Sequence, residues 1–119
     1  MPALKDKAIT LLGTATVDVK TAASTTIFTT PVGKVTRIAF VVVRDPTASM
    51  AGGTSYSFTS WRQTVDLSSL TTANTDYICL DGNNVKYTEI AASTNFQITV
   101  TTGSTAACNA TIDVFGYTV

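Results

Sequence analysis

The stretch Val35-Thr36-Arg37-Ile38-Ala39-Phe40-Val41-Val42-Val43-Arg44 decides the fold. β-Branched and aromatic residues fill it, Pro31 and Gly33 lie ahead of it, and Asp45-Pro46 closes it, which is the composition and punctuation of a β-strand. At about ten residues it stands at the long end for a globular strand. Unbroken alternation puts Ile38, Phe40 and Val42 on one face and Val35, Arg37, Ala39, Val41 and Val43 on the other. Both faces are then largely apolar. A strand with one wet face alternates more cleanly, so the expectation is that a second layer of this chain, or a partner subunit, covers part of the second face.

Working outward, the flanking segments repeat the signal. Ala15 to Lys20 alternates, with Val17 and Val19 inward. Thr26 to Thr30 is a further strand, and the turn Pro31-Val32-Gly33-Lys34 makes a hairpin with the central strand the economical arrangement. A long loop after Pro46 runs through Met50 to Gly52-Gly53, and loops of that length commonly carry a contact; Pro46, Met50, Gly52 and Gly53 are the candidate contact loop. Tyr56 to Ser60 is a strand that Arg62 to Asp66 can extend, and Leu67 to Thr75 reads as loop. Asp76 to Leu80 and Val85 to Ile90 flank the turn Asp81-Gly82-Asn83-Asn84 as a hairpin. Thr94 to Thr102 alternates most cleanly, with Phe96, Ile98 and Val100 inward against Gln97, Thr99 and Thr101. Asn109 to Val119 forms the last strand, its Ile112, Val114, Phe115 and Tyr117 divided between two faces. About eight strands with turn signals every 8 to 12 residues predict an all-β domain, a jelly-roll-like β-sandwich of antiparallel strands over residues 15–119.

Residues 1–14 read as an extended N-terminal arm. Leu4, Ile9, Leu11 and Leu12 supply an apolar group too short to fold without a surface to dock on. They are the candidate docking residues.

Composition bounds the partners. Of 119 residues, 45% are hydrophobic and only 13% charged, against about 25% charged in an ordinary soluble domain. Threonine, about a fifth of the chain, is β-branched and suits a pleated sheet. A surface poor in charge costs little to desolvate, which favours burial against other subunits, including self-association as a dimer or trimer. Eight basic and eight acidic residues leave a formal net charge of +0, with no basic stripe for direct nucleic-acid binding. No apolar run has the length of a signal peptide or membrane span, so the expectation is a protein made in a cytoplasm with no membrane partner. The Asn109-Ala110-Thr111 glycosylation pattern carries no weight in that setting. The apolar neighbours of Cys79 suggest that this thiol is buried as a small hydrophobe and that it does not pair with Cys108.

The chain has no histidine, which excludes Ser-His-Asp and Cys-His nucleophile systems and removes the commonest metal ligand. Two separated cysteines cannot make a zinc site without it. Asp66, Asp76, Asp81 and Glu89 could pair as glycosidase carboxylates, but each falls at a strand end or turn where it has a backbone role. The 81–84 turn lacks calcium-loop spacing, and no Gly-rich phosphate cradle opens a helix. No enzymatic activity, metal or cofactor is expected. Trp61 with Tyr56 is the one candidate for stacking on a sugar.

Three stretches resemble a known class of proteins. They are Thr26 to Lys34 (Thr-Ile-Phe-Thr-Thr-Pro-Val-Gly-Lys), Val43 to Phe58 (Val-Arg-Asp-Pro-Thr-Ala-Ser-Met-Ala-Gly-Gly-Thr-Ser-Tyr-Ser-Phe) and Thr105 to Tyr117 (Thr-Ala-Ala-Cys-Asn-Ala-Thr-Ile-Asp-Val-Phe-Gly-Tyr). Together they are similar to small structural proteins of tailed bacteriophages and prophages, over about residues 15–119. The resemblance implies a compact β-sandwich in the virion, as a cement or decoration protein on the head surface that contacts the major capsid protein. The alternative it implies is a tail or tail-fibre module, including one that binds a host-surface glycan.

Overall fold

A computed structural model describes residues 8–61, 63–80 and 88–119. Among them are eight strands and no helix: β1 (Thr10–Asp18), β2 (Ser24–Thr29), β3 (Thr36–Arg44), β4 (Ser55–Phe58), β5 (Tyr77–Leu80), β6 (Thr88–Ile90), β7 (Asn95–Thr102) and β8 (Asn109–Thr118). They form two antiparallel sheets, a β-sandwich as the sequence predicts. The larger has the order β1-β8-β3-β5 with β6 also on β3, and the smaller β2-β7-β4.

The ladders nest, with β1 on β8, β2 on β7 and β3 on β6. Three nested ladders of this kind arise when an antiparallel ribbon of strands is wrapped on itself into two sheets, the pattern of a jelly-roll-like sandwich. β5 departs from it. Instead of pairing with β4, it lies on residues 41–44 of β3, while β6 takes residues 36–38 of the same edge. On its edge away from β7, β4 receives the bridge from Tyr56 to Val65, and residues 63–66 add no further strand; Arg62 lies outside the described residues.

Two expected hairpins are therefore corrected. β2 and β3 belong to different sheets, so the 31–34 turn crosses between layers. β5 and β6 do not pair with each other, because the nine residues of β3 are long enough to template both. The 81–84 turn lies outside the described residues. At the N-terminus the sheet begins earlier than the expected arm boundary: Thr10 to Thr14 are part of β1, paired with β8.

The central strand does not alternate without a break. Ala39 is an extra residue between Ile38, opposite Gly116, and Phe40, opposite Phe115. A β-bulge shifts parity, because every side chain beyond it turns to the other face. Thr36 and Ile38 point inward before the bulge and Val41 and Val43 after it, leaving Arg37, Phe40, Val42 and Arg44 outward. The expected grouping of Ile38 with Phe40 and Val42 is corrected accordingly. Leu12 is the equivalent extra residue in β1, between Leu11 and Gly13, and it too lies opposite the Phe115 region. β8 itself stays regular, with Ala110, Ile112 and Val114 buried.

The core fills from both layers. Ile38, Val41, Val43, Ile112 and Val114 meet Ile27, Tyr56, Phe58, Phe96, Ile98 and Val100, and the long loops add Met50, Val65, Leu67 and Leu70. Phe96 lies between Phe28 (ring centroids 5.5 Å apart) and Phe58 (5.8 Å). Two glycines allow the close approaches. A Cβ on Gly13 would stand 2.6 Å from Phe28 Cβ, and one on Gly116 would overlap the Arg37 carbonyl oxygen beside the bulge.

Gly116→Ala is expected to destabilise by about 1–3 kcal/mol, since backbone must move to admit the methyl group. Thr36→Val should act in the other direction. The Thr36 hydroxyl is fully buried with no hydrogen-bond partner, and its removal is expected to raise stability by about 1 kcal/mol. Urea midpoints of the two variants against the parent check both signs.

Candidate functional site

The outer faces of the two sheets differ in chemistry. On the small sheet, outward Ser24, Thr26, Thr29, Asn95, Gln97 and Thr99 are all uncharged. Their side chains bond one another: Ser24 Oγ lies 2.9 Å from Thr99 Oγ1, Thr29 donates to Asn95 at 2.8 Å, and Gln97 donates to Thr26 at 3.1 Å. This face is polar and satisfied within itself.

The large sheet is organised in transverse rows. Because β8 is regular and both neighbours shift register beside Phe115, the rows can be followed across the strands. Leu11, Phe115 and Phe40 make one row, and the two phenylalanine rings stack with centroids 4.7 Å apart and an interplanar angle of 19°. On one side of it stand Tyr117, Arg37 and Glu89, and Ile9, immediately ahead of β1, shares the parity of Leu11. Beyond these, Val35 and Val119 exchange backbone hydrogen bonds at the end of the sheet. On the other side the rows turn polar, with Thr14, Asp113, Val42 and Cys79, then Thr16, Thr111, Arg44 and Tyr77.

The first half of this face is apolar and uncovered among the described residues. Ile9 is 54% exposed, Leu11 51% and Val119 44%, while Phe40, Phe115 and Tyr117 are half-buried. Arg37 Nε stands 3.3 Å from Glu89 Oε2, and Tyr117 and Glu89 hold the guanidinium charge more firmly than usual. In the polar half, Arg44 bonds Asp113 at 2.8 Å and Asp45 at 2.7 Å, and Thr14 donates to Asp113 at 2.6 Å. Burial pushes the Asp113 carboxyl up, but the bonds from Arg44 and Thr14 outweigh it and leave the group below its ordinary value.

The sequence candidates divide. Ile9 and Leu11 are brought onto the apolar half-face; Leu12 turns toward the core as the bulge residue; Leu4 lies outside the described residues. Of the candidate contact loop, Pro46, Met50 and Gly53 are buried and Gly52 alone is exposed. Met50 is a core residue, its N–H bonded to Leu70 O at 2.8 Å, and Thr105 N–H bonds Ala51 O, so the loop closes the end of the sandwich instead of projecting from it. Tyr56 is fully buried, its hydroxyl donating to Val19 O at 2.7 Å, and burial first among the causes drives its pKa up to about 12. It offers no surface for stacking. Trp61 lies partly exposed against Phe58 at 4.4 Å with Nε1 unpartnered, and among the described residues no second exposed ring stacks with it.

Cys79 is exposed and outward on β5, and Cys108 is buried; neither forms a disulfide. The expected burial of Cys79 is thus corrected, because Ile78 and Leu80 take the more sheltered parity. The described carboxylate candidates for glycoside cleavage have local roles. Asp66 caps Ser68, Asp76 accepts the N–H groups of Thr71 and Thr72, and Glu89 meets Arg37; Asp81 lies outside the described residues. A concavity of about 500 Å³ at the other end of the molecule is lined by Asp18, Lys20, Thr21, Thr47 and Asn109 among others. Asp18 is occupied there by the N–H groups of Lys20 and Thr21.

Phe40, Phe115 and Tyr117 are the site residues that sequence reasoning did not single out. Their signal was the apolar outward parity of the last strand together with the two-sided apolarity of the central one.

Comparison of the chain with protein-family models, with curated proteins and with solved structures returned no match.

The folded-state Asp113 carboxyl is depressed, so it stabilises the fold above the unfolded carboxylate value, and that contribution is lost as pH falls through the folded value. Asp113→Asn is expected to lower stability at neutral pH and to flatten the acid limb of a melting-temperature profile between neutrality and about pH 2. Tyr56→Phe should cost about 1 kcal/mol at every pH below 9, through loss of the bond to Val19.

Proposed function

We propose that this is a non-enzymatic structural protein of a tailed-phage virion, a cement or decoration protein on the head surface that bridges major capsid subunits. The observation that carries the reading is the outer face of the large sheet. A small domain that leaves stacked Phe40 and Phe115, with Leu11 and Ile9, on its broadest surface has a built protein-contact surface. Three further features support it. Charge is sparse, so other surfaces are also cheap to desolvate. The nested jelly-roll ladders belong to an architecture that capsid domains share with lectins and cupins, although a fold alone assigns no function. The stretches at 26–34, 43–58 and 105–117 resemble phage structural proteins.

A capsid lattice repeats, and a clamp touching several subunits gains from linked weak contacts through effective concentration. Contacts of apolar and backbone character also vary little with salt. The receptor-binding alternative has less to stand on, because Tyr56 is core and the described ring partner of Trp61, Phe58, is buried.

Electron microscopy of intact particles is expected to locate the protein on the head. Particles lacking it should release DNA on heating or osmotic shock at lower stress than the parent, yet adsorb to cells normally. Sturdy heads with failed adsorption, reproduced by Trp61→Ala, would overturn the head assignment in favour of a tail or fibre role.

A further inference from the structure

We infer that the outer face of the large sheet is the interface of a symmetric dimer, closed by a second copy of this chain about a two-fold axis parallel to the strands between β3 and β8. The inference rests on the reading of this face as a protein-contact surface and names its occupant.

The row pattern selects the axis. The face is apolar toward the end where β1 begins and polar toward the other. A two-fold perpendicular to the strands and centred on the face would lay the apolar half on the polar half. A two-fold parallel to the strands keeps each row over its own equivalent and reverses only the strand order, so apolar meets apolar along the whole face. With the axis between β3 and β8, Phe40 lies over Phe115 of the second copy and Phe115 over its Phe40, doubling the stack already present.

Charge fits the same operator. Arg37 falls over Tyr117 of the second copy, ring beneath guanidinium, and Glu89 falls toward Ile9. Arg44 falls over Thr111 and Asp113 over Val42. None of these four charged side chains opposes its own kind, and each already has a partner within its own chain or sheet: Arg44 with Asp113 and Asp45, Arg37 with Glu89. The polar half can therefore be covered without stranding a charge.

The size is adequate. Four strand positions about 4.8 Å apart and five rows about 7 Å apart give a face of roughly 700 Å² per copy, close to the ~800 Å² per partner of a standard stable interface. The apolar half alone would fall short, which argues for aligned packing over the full face, with strand directions within about 30°. Such a dimer carries two copies of every remaining surface, which makes it bivalent toward a repeating lattice.

Sedimentation velocity and light scattering on the full chain, from low to high micromolar concentration and without particles, test this. The parent is expected to be a dimer. Leu11→Lys, at an exposed side chain, and Phe40→Lys, at an outward ring that is half-buried against the core, should each raise the dimer dissociation constant by roughly 100-fold or more, while circular dichroism and cooperative melting of the Leu11→Lys protein stay those of the parent fold. Thr26→Lys, on the outer face of the small sheet, should leave the dimer intact. A parent that stays monomeric or forms trimers, a Phe40→Lys protein that still dimerises, or a Thr26→Lys protein that does not, would each overturn the inference. Location on the head is a separate measurement: a dimer absent from heads sinks the head reading alone, and a monomer found on heads sinks the dimer alone.

Discussion

Two extra residues, Leu12 in β1 and Ala39 in β3, flank a β8 that has none, and the surface chemistry of the large sheet depends on them. Each bulge sits beside Phe115 and inverts the parity of its strand, so Leu11 and Phe40 come outward in line with Phe115 while Val41 and Val43 stay in the core. Without the insertion in β3, one half of that strand would point its aliphatic side chains at solvent. Gly116 makes the crowding tolerable, because it offers no Cβ where the β3 backbone closes in at Arg37. Backbone geometry at one level of the sandwich thus sets both the packing inside and the apolar row outside.

The two outer faces express different solutions to a low-charge surface. On the small sheet, hydroxyl and amide groups bond across strands, so the face needs neither ions nor a partner. On the large sheet, charge is confined to local pairs, and aromatic and aliphatic side chains occupy the space between them. Desolvating already paired charges and half-buried rings costs less than desolvating scattered free ions. That asymmetry is what the proposed use of the large sheet for protein contact rests on.

The long loops behave as lids over the ends of the sandwich. Met50, Leu67 and Leu70 are buried because the inner faces of short strands such as β4 leave apolar volume to fill, and loop residues fill it. The same demand takes Tyr56 inward and spends its hydroxyl on Val19 O. A reading that treats loop length and aromatic clustering as signs of a binding surface goes astray here for that reason. Only Gly52 of the four loop candidates remains at the surface.

The sequence by itself determined the strand content. β-Branched density, alternation and turn residues are local properties, and they located the eight strands, with the start of β1 displaced from Ala15 to Thr10, together with the inward set Phe96, Ile98 and Val100. Apolar residues on both sides of the central strand were also legible, whereas Leu11, expected in a docking arm, belongs to β1 because its segment pairs with β8. What only the tertiary structure decided was partnership and parity. Pairing of β1 with β8, or of β5 and β6 along one edge of β3, is a choice between distant segments of similar composition, settled by how the layers close. A bulge leaves no mark in the run Ile38-Ala39-Phe40, because its existence depends on the register of the neighbouring strand, and a single extra residue there was enough to move Phe40 from the core to the face that defines the site.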